Sequence, residues 1–223
     1  MIDMQNSYVA DDGVRDALGW PPIWRLEETV AACADLLAAA RDQELPVIYS
    51  RSTGSAAGVL GQNPRIARLL AHRRHRIPEV GAAEEAWKRR IMDAVAPQPA
   101  DVVLDKSRAS LFDYTELDPL LHNLGVQRLV VAGLQTNVCV EATARAALAR
   151  NFEVAVPSDA VSTDGPALHE GALNSLRVLY TEVAPWREIL APDASWDRAF
   201  TTPDYGRDPA YWTETSVTAR QRP

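Results

Sequence analysis

Hydrophobic and polar positions along the chain switch repeatedly between a two-residue and a near-four-residue spacing. The most coherent stretch runs from Arg128 to Ala147. Its first third is an apolar run rich in β-branched residues, which predicts a buried strand. Gly133 then permits an unusual backbone conformation. Thr136 or Asn137 is placed to cap a helix whose apolar stripe is Val140, Ala144, Ala147 and Leu148. Cys139 falls in the first turn of that helix, at the carboxyl end of the strand, where open α/β sheets place ligands.

The same reading extends to the rest of the chain. Met1 to Asn6 looks like the end of a strand, yet only Met1 and Ile2 precede Asp3, whereas central strands run to about 5–6 residues. Either this strand is short or it continues upstream. Tyr8 to Pro22 carries Asp-Asp-Gly and Pro-Pro punctuation and predicts a loop. Leu26, Val30, Ala34, Leu37 and Ala38 predict an amphipathic helix to about Gln43, with Cys33 as packing. A strand is expected over Leu45–Tyr49, then a Gly/Ser-rich loop from Ser52 to Gly61. The mostly polar stretch from there to Ala100, with one or two short helices, is a natural lid or oligomer contact.

Asp101–Leu104 predicts a third strand, and Thr115-Glu-Leu-Asp118 a capping box opening a helix that Gly125 ends. Glu153–Val156 and Thr181–Val183 predict further strands around a helix from Ala167 to Leu179, with Leu168, Ala172, Leu176 and Leu179 on one side. Strands alternating with helices imply an α/β fold, a mostly parallel sheet with right-handed crossovers. Residues 1–192 read as one domain, and 193–223 as a tail that wraps the surface or is partly disordered.

Composition narrows the function. With 223 residues, 47% hydrophobic and 24% charged, the chain has enough apolar content for a sizeable core. A net charge of −7 speaks against a nucleic-acid binder, since the one basic cluster, His72-Arg-Arg-His-Arg76, is short. No apolar run approaches the ~20 residues of a membrane span. The two cysteines, Cys33 and Cys139, are no disulfide scaffold and fit a reducing cytoplasm. No signal or transit pattern is expected.

Three polar residues stand at strand ends that share one edge of a parallel sheet: Asp3, Lys106 and Cys139. Taken singly, a turn acid, a surface lysine and a small buried cysteine are ordinary. Together they form a coherent acyl-transfer set. Asp3 serves as general base and acid, Lys106 as a fixed positive charge, and Cys139 as nucleophile. Unpaired N–H groups at the helix start are expected to favour the Cys139 thiolate.

At this point the sequence resembles the isochorismatase-like cysteine hydrolases, a family that includes nicotinamidases, N-carbamoylsarcosine amidases, biuret hydrolases, ureidoacrylate amidohydrolases and isochorismatases. The residues that carry the resemblance are Ile2-Asp-Met-Gln-Asn6, Asp105-Lys-Ser-Arg-Ala-Ser-Leu-Phe112 with Thr115 and Leu117, and Ala132-Gly-Leu-Gln-Thr-Asn-Val-Cys-Val140. Thr143-Ala-Arg145 and Asp159-Ala160 add to it, and the similarity spans Met1 to about Leu190. It implies a three-layer α/β/α sandwich and a Cys–Asp–Lys triad falling on Cys139, Asp3 and Lys106. It also implies a non-proline cis peptide at Leu134–Gln135, aiming the Gln135 and Cys139 N–H groups at an oxyanion. Tyr8, Phe112 and Gln5 are the candidates for substrate contact. A homo-oligomer, dimer or tetramer, is the family expectation.

Departures from the family pattern narrow the substrate. Nicotinamidases carry an Asp-x-His metal motif after the second strand, where this chain has Tyr49-Ser-Arg-Ser-Thr-Gly54, so neither metal nor cofactor is expected. True isochorismatases lack the nucleophilic cysteine that this chain keeps. The expected function is a cysteine hydrolase cleaving a C–N bond of a small amide, carbamoyl or ureido compound through a thioester. The alternatives are an isochorismatase-type vinyl-ether hydrolase and a catalytically silent oligomeric binding module. Arg51, Arg73 and Arg76 are further candidates to pair with a substrate carboxylate, with solvation as their commoner fate.

Overall fold

The first three residues join the two halves of the sheet. In the computed structural model, the Met1 ammonium donates to the Ile48 carbonyl at 2.7 Å and Ser50 N–H donates to the Met1 carbonyl at 2.9 Å. On the other side the Ile2 N–H donates to the Ala132 carbonyl at 2.7 Å, and the Ile2 carbonyl accepts from the Leu134 N–H at 2.9 Å. The structure describes residues 1–10, 15, 18–53, 64–73, 75, 79, 81–179 and 181–194.

Beyond Met1–Asp3 lies β1 (Ile48–Ser52), paired in parallel with β2 (Val102–Lys106). On the opposite side run β3 (Arg128–Val130) and β4 (Gly133–Leu134), two pieces of one line. They pair in parallel with β5 (Glu153–Pro157) and β6 (Val161–Ser162), and β7 (Glu182–Ala184) closes that edge beside β5. Parallel pairing throughout puts the carboxyl ends of all these strands on one side.

Helices cover both faces, giving three layers. On one face α1 (Leu26–Asp42) buries Thr29, Cys33, Leu36 and Leu37 against Met4, Tyr49 and Leu134. The short helices α2 (Pro64–Arg73) and α3 (Ala82–Arg89) follow β1 in the chain. On the other face lie α4 (Leu117–Asn123), α5 (Glu141–Leu148) and α6 (Pro166–Val178). Val140, Ala144 and Ala147, all fully buried, meet Leu173 and Leu176 there. Burying such side chains is the main favourable term in folding, at about 25 cal/mol per Å² of apolar surface. The last helix among the described residues, α7 (Trp186–Ile189), returns to the α1 face.

The α/β architecture is as expected, and the corrections concern phase. The buried stripe of α1 is Thr29, Cys33, Leu36 and Leu37, and Ala38 is exposed. On α6 the buried face is His169, Ala172, Leu173 and Leu176, while Leu168 and Leu179 are exposed. In both cases one misplaced position rotated the stripe. Strand β1 starts at Ile48 rather than Leu45, and β2 reaches Lys106, two residues past the expected end. The capping box shifts as well. Thr115 Oγ1 accepts the Leu117 N–H at 3.2 Å and donates to the Leu111 carbonyl, with Glu116 in the N-cap position. The segment expected as a lid lies partly, and the tail from residue 195 entirely, outside the described residues.

Candidate active site

Gly133 is where the site begins. Its φ is +115°, and a Cβ there would stand 2.2 Å from the Ile2 carbonyl oxygen. Only glycine lets the chain start pass this close, and that passage sets Asp3 at the carboxyl edge of the sheet. Asp3 itself takes a left-handed backbone (φ +47°), a conformation a non-glycine residue holds only when its surroundings impose it. Here Ser50 imposes it. Its hydroxyl accepts the Asp3 N–H at 3.0 Å and donates to Asp3 Oδ1 at 2.6 Å.

Lys106, the last residue of β2, reaches into the same cleft. Its Nζ lies 2.6 Å from Asp3 Oδ2, donates to Cys139 Sγ at 3.3 Å, and donates to the Arg108 carbonyl at 3.0 Å. Burial alone would lower the Lys106 ammonium, but the Asp3 carboxylate and the Cys139 sulfur beside it outweigh that and raise it. The lysine therefore stays charged.

Cys139 sits in a π-helical segment, Thr136–Val140, that leads into α5, not in a regular first turn. Neither expected cap residue caps it. Gln135 takes the N-cap position, Thr136 Oγ1 pairs with His169 Nδ1 at 3.1 Å, and Asn137 Oδ1 accepts the Thr163 hydroxyl at 2.6 Å. Thr143 ties the segment down by donating to the Cys139 carbonyl at 2.7 Å while accepting the Leu111 N–H at 3.0 Å. Single-turn π segments of this kind gather at functional sites.

The thiol is not poised as a thiolate. Burial, and then the Asp3 charge, push Cys139 up to about 12, against the opposing pull of Lys106. This corrects the expectation drawn from the helix start, because desolvation and a neighbouring carboxylate outweigh the dipole. The arrangement is a protonated sulfur beside a carboxylate that can accept its proton. The other cysteine, Cys33, is fully buried and donates to the Ala160 carbonyl at 3.2 Å.

The remaining candidates separate. Leu134–Gln135 is a cis peptide. The Gln135 amide donates to Asp164 Oδ1 at 2.6 Å, and Arg15 pairs with the same oxygen at 2.5 Å. Tyr8 adjoins this group. Its phenol is raised mainly by burial and then by the Asp3 charge.

Gln5 is engaged elsewhere. Its amide donates to the Ser52 and Arg89 carbonyls at 3.0 and 2.9 Å and accepts the Ser52 N–H at 2.8 Å, clamping the end of β1 to α3. Phe112 is buried, its ring centroid 6.0 Å from that of Phe152 and under the Arg150 guanidinium. Arg51 is spent on Asp105, at 2.6 and 3.0 Å. The Arg73 side chain and Arg76 lie outside the described residues.

Ser50, Asp164 and His169 were not singled out from sequence. Their partners Asp3, Gln135 and Thr136 lie 47, 29 and 33 residues away, so no local spacing marks them. Among the described residues, no group of three or more His, Cys, Asp or Glu is placed to hold a metal ion, and no helix is long and apolar enough to cross a membrane.

A parallel sheet between helical layers, with a half-buried cysteine beside a buried aspartate and lysine at its carboxyl edge, defines a class, and comparison with known proteins identifies the family. Residues 1–188 match the isochorismatase domain model, and the chain belongs to that family. It is 33% identical over 205 residues to a ureidoacrylate amidohydrolase of Methylorubrum extorquens, covering 86% of this chain and 82% of that protein. A solved cysteine hydrolase from Pseudomonas syringae pv. phaseolicola superposes with a TM-score of 0.69 at 25% identity, over 89% of this chain and 91% of that one. N-carbamoylsarcosine amidase from Thermoplasma acidophilum gives 0.62 at 25% identity, over 83% and 93%.

Proposed function

We propose that this chain hydrolyses a small amide, carbamoyl or ureido compound through a thioester on Cys139. The reaction class, hydrolysis of a C–N bond other than a peptide bond, follows from its ureidoacrylate amidohydrolase and N-carbamoylsarcosine amidase relatives. The observation that carries the residue assignment is the position of Lys106 Nζ, 2.6 Å from Asp3 and 3.3 Å from Cys139.

In this reading the rest state is a thiol, an aspartate and an ammonium. As substrate enters, the sulfur proton passes to Asp3 and the sulfur attacks the carbonyl carbon. Lys106 holds the negative charge on sulfur and carboxylate throughout, without giving up its own proton. The tetrahedral oxyanion is received by the backbone N–H groups of Gln135 and Cys139. Collapse breaks the C–N bond, and Asp3 returns its proton to the departing nitrogen. Water then attacks the thioester carbonyl, Asp3 accepts the water proton and gives it to the leaving sulfur, and the acid is released. The sum is one water consumed, one C–N bond broken, and the thiol regenerated.

Tyr8, whose phenol is influenced by the Asp3 charge, is assigned as a wall for the substrate. The test is an ammonia-release screen over carbamoyl, ureido and primary amide compounds with wild type, Cys139→Ala and Asp3→Asn. Both variants are expected to retain their circular dichroism and lose turnover. Wild-type turnover in Cys139→Ala would rule the reading out, and is also what a vinyl-ether hydrolase would show on its own substrate.

A further inference from the structure

Gln135, Asp164 and Arg15 come from distant parts of the chain and meet as a group whose side chains take no part in the reaction above. Gln135 immediately precedes the segment that carries Cys139. Its side-chain amide donates to Asp164 Oδ1 at 2.6 Å, and Arg15 Nη2 reaches the same oxygen at 2.5 Å. Arg15 is held in turn by donating through Nε to the Pro21 carbonyl at 3.0 Å. Besides the burial that dominates it, the Tyr8 phenol feels the charges of Asp3, Arg15 and Asp164. Asp3 and this polar group therefore border the same side chain.

The hydrogen bonds fix which atoms the group leaves unpaired. A carboxylate can only accept, so Gln135 must offer it the NH2 end of its amide. The network thereby sets the amide's orientation, and its carbonyl oxygen Oε1 is turned away from that contact. Asp164 spends a single oxygen on both neighbours. Its Oδ2, like Gln135 Oε1, accepts no hydrogen bond among the described residues. Neither oxygen is sealed in the interior, and the Asp164 side chain is 23% exposed. Two acceptors held side by side without donors suit a ligand that brings N–H groups. Arg15 balances the Asp164 charge at contact distance, so the pair suits a neutral donor better than a cation.

We propose that Gln135 Oε1 and Asp164 Oδ2 are the specificity-determining acceptors of the site, reading substrates that carry N–H on both sides of the carbonyl, with Arg15 positioning Asp164. This rests on the function proposed above, in which the Gln135 backbone N–H receives the oxyanion. The substituents of that carbonyl then lie near the side chain of the same residue. A urea presents N–H on both sides of its carbonyl, whereas a simple amide has carbon on one side. The acceptor pair favours the urea and disfavours an amide of the same shape, which leaves the acceptors unpaired.

The test compares two probes of matching shape, propylurea and pentanamide, which differ by an NH in place of a CH2. Calorimetry measures their binding to the whole chain carrying Cys139→Ala, where no turnover is required. Propylurea is expected to bind about tenfold more tightly than pentanamide. Gln135→Met, added to that background, should bring the ratio to about one by weakening propylurea the more. Asp164→Ala should lower the ratio by about threefold or more, by freeing the Gln135 amide to turn. Equal affinities in the starting protein, or an unmoved ratio in both variants, would overturn the proposal. So would the absence of propylurea binding, or a parallel loss of both probes in variants that keep their circular dichroism, which would give the group a purely structural role. Turnover surviving in Cys139→Ala would end the thioester reading alone, because the probe ratio is measured without it.

Discussion

Lys106 Nζ lies 2.6 Å from Asp3 Oδ2, with both side chains only 1% exposed. A buried ion pair contributes little net stability, because desolvating both charges offsets most of their attraction. Removing one partner, however, leaves the other charge buried and uncompensated. Lys106→Met is therefore expected to cost about 3–5 kcal/mol of stability along with activity. The Lys106→Met, Asp3→Asn double variant should cost clearly less than the sum of the two singles. Urea unfolding of the four proteins measures this. Additive costs would show that the two groups do not act as a pair.

The same pair sets the reactivity of the thiol. Asp3 is the charge that raises Cys139 after burial, and Lys106 the one that lowers it. Neutralising the acid leaves the lysine unopposed, so the Cys139 pKa should fall in Asp3→Asn. Alkylation of Cys139 at pH 8 is expected to run several-fold faster in that variant while turnover is lost. Mass spectrometry after timed iodoacetamide treatment reads the rate, with the fully buried Cys33 as internal reference. Slower alkylation in Asp3→Asn would remove the assigned electrostatics.

Gly133→Ala tests the passage of the chain start. Its new Cβ meets the Ile2 carbonyl oxygen at 2.2 Å and Ile2 N at 2.8 Å, both backbone atoms that cannot rotate away, on a φ of +115°. The expected result is a loss of more than about 2 kcal/mol and of turnover, because Asp3 moves with Ile2. A neutral effect would mean that the chain start is not seated where Asp3 needs it.

Stability should depend on pH through His169, which burial lowers in the folded protein. Just below the ordinary histidine range the unfolded chain binds a proton that the folded one does not, so stability should rise as pH rises through that range. Thermal melts of wild type and His169→Gln measure this, and the rise should be smaller in the variant. An equal rise in both would contradict the assignment.

Much of the site was legible because parallel strands bring distant strand ends together. Asp3, Lys106 and Cys139 could be placed from sequence alone, as polar residues closing apolar runs. Their support was not legible. Ser50 hides inside β1 as an ordinary strand serine, and its importance comes from facing Asp3 across the sheet. Asp164 and His169 follow β6, a strand too short to leave a pattern. Phe112 matched a pocket position by family resemblance, yet its ring packs beneath Arg150. A motif fixes where a residue stands in the chain and leaves its direction to packing. Helix phase failed for a related reason. On α1, small Ala side chains occur on every face, and Thr29, which is buried, carries no apolar signal.

The central claim is that Cys139 carries the acyl group. The most direct measurement is rapid quench of the protein with a turned-over substrate in acid, followed by peptide mass spectrometry. The result expected is the mass of the substrate's acyl or carbamoyl group on the peptide containing Cys139, lost with time and absent in Cys139→Ala. An unmodified Cys139 peptide at every time point during sustained turnover, with turnover surviving in Cys139→Ala, would contradict it.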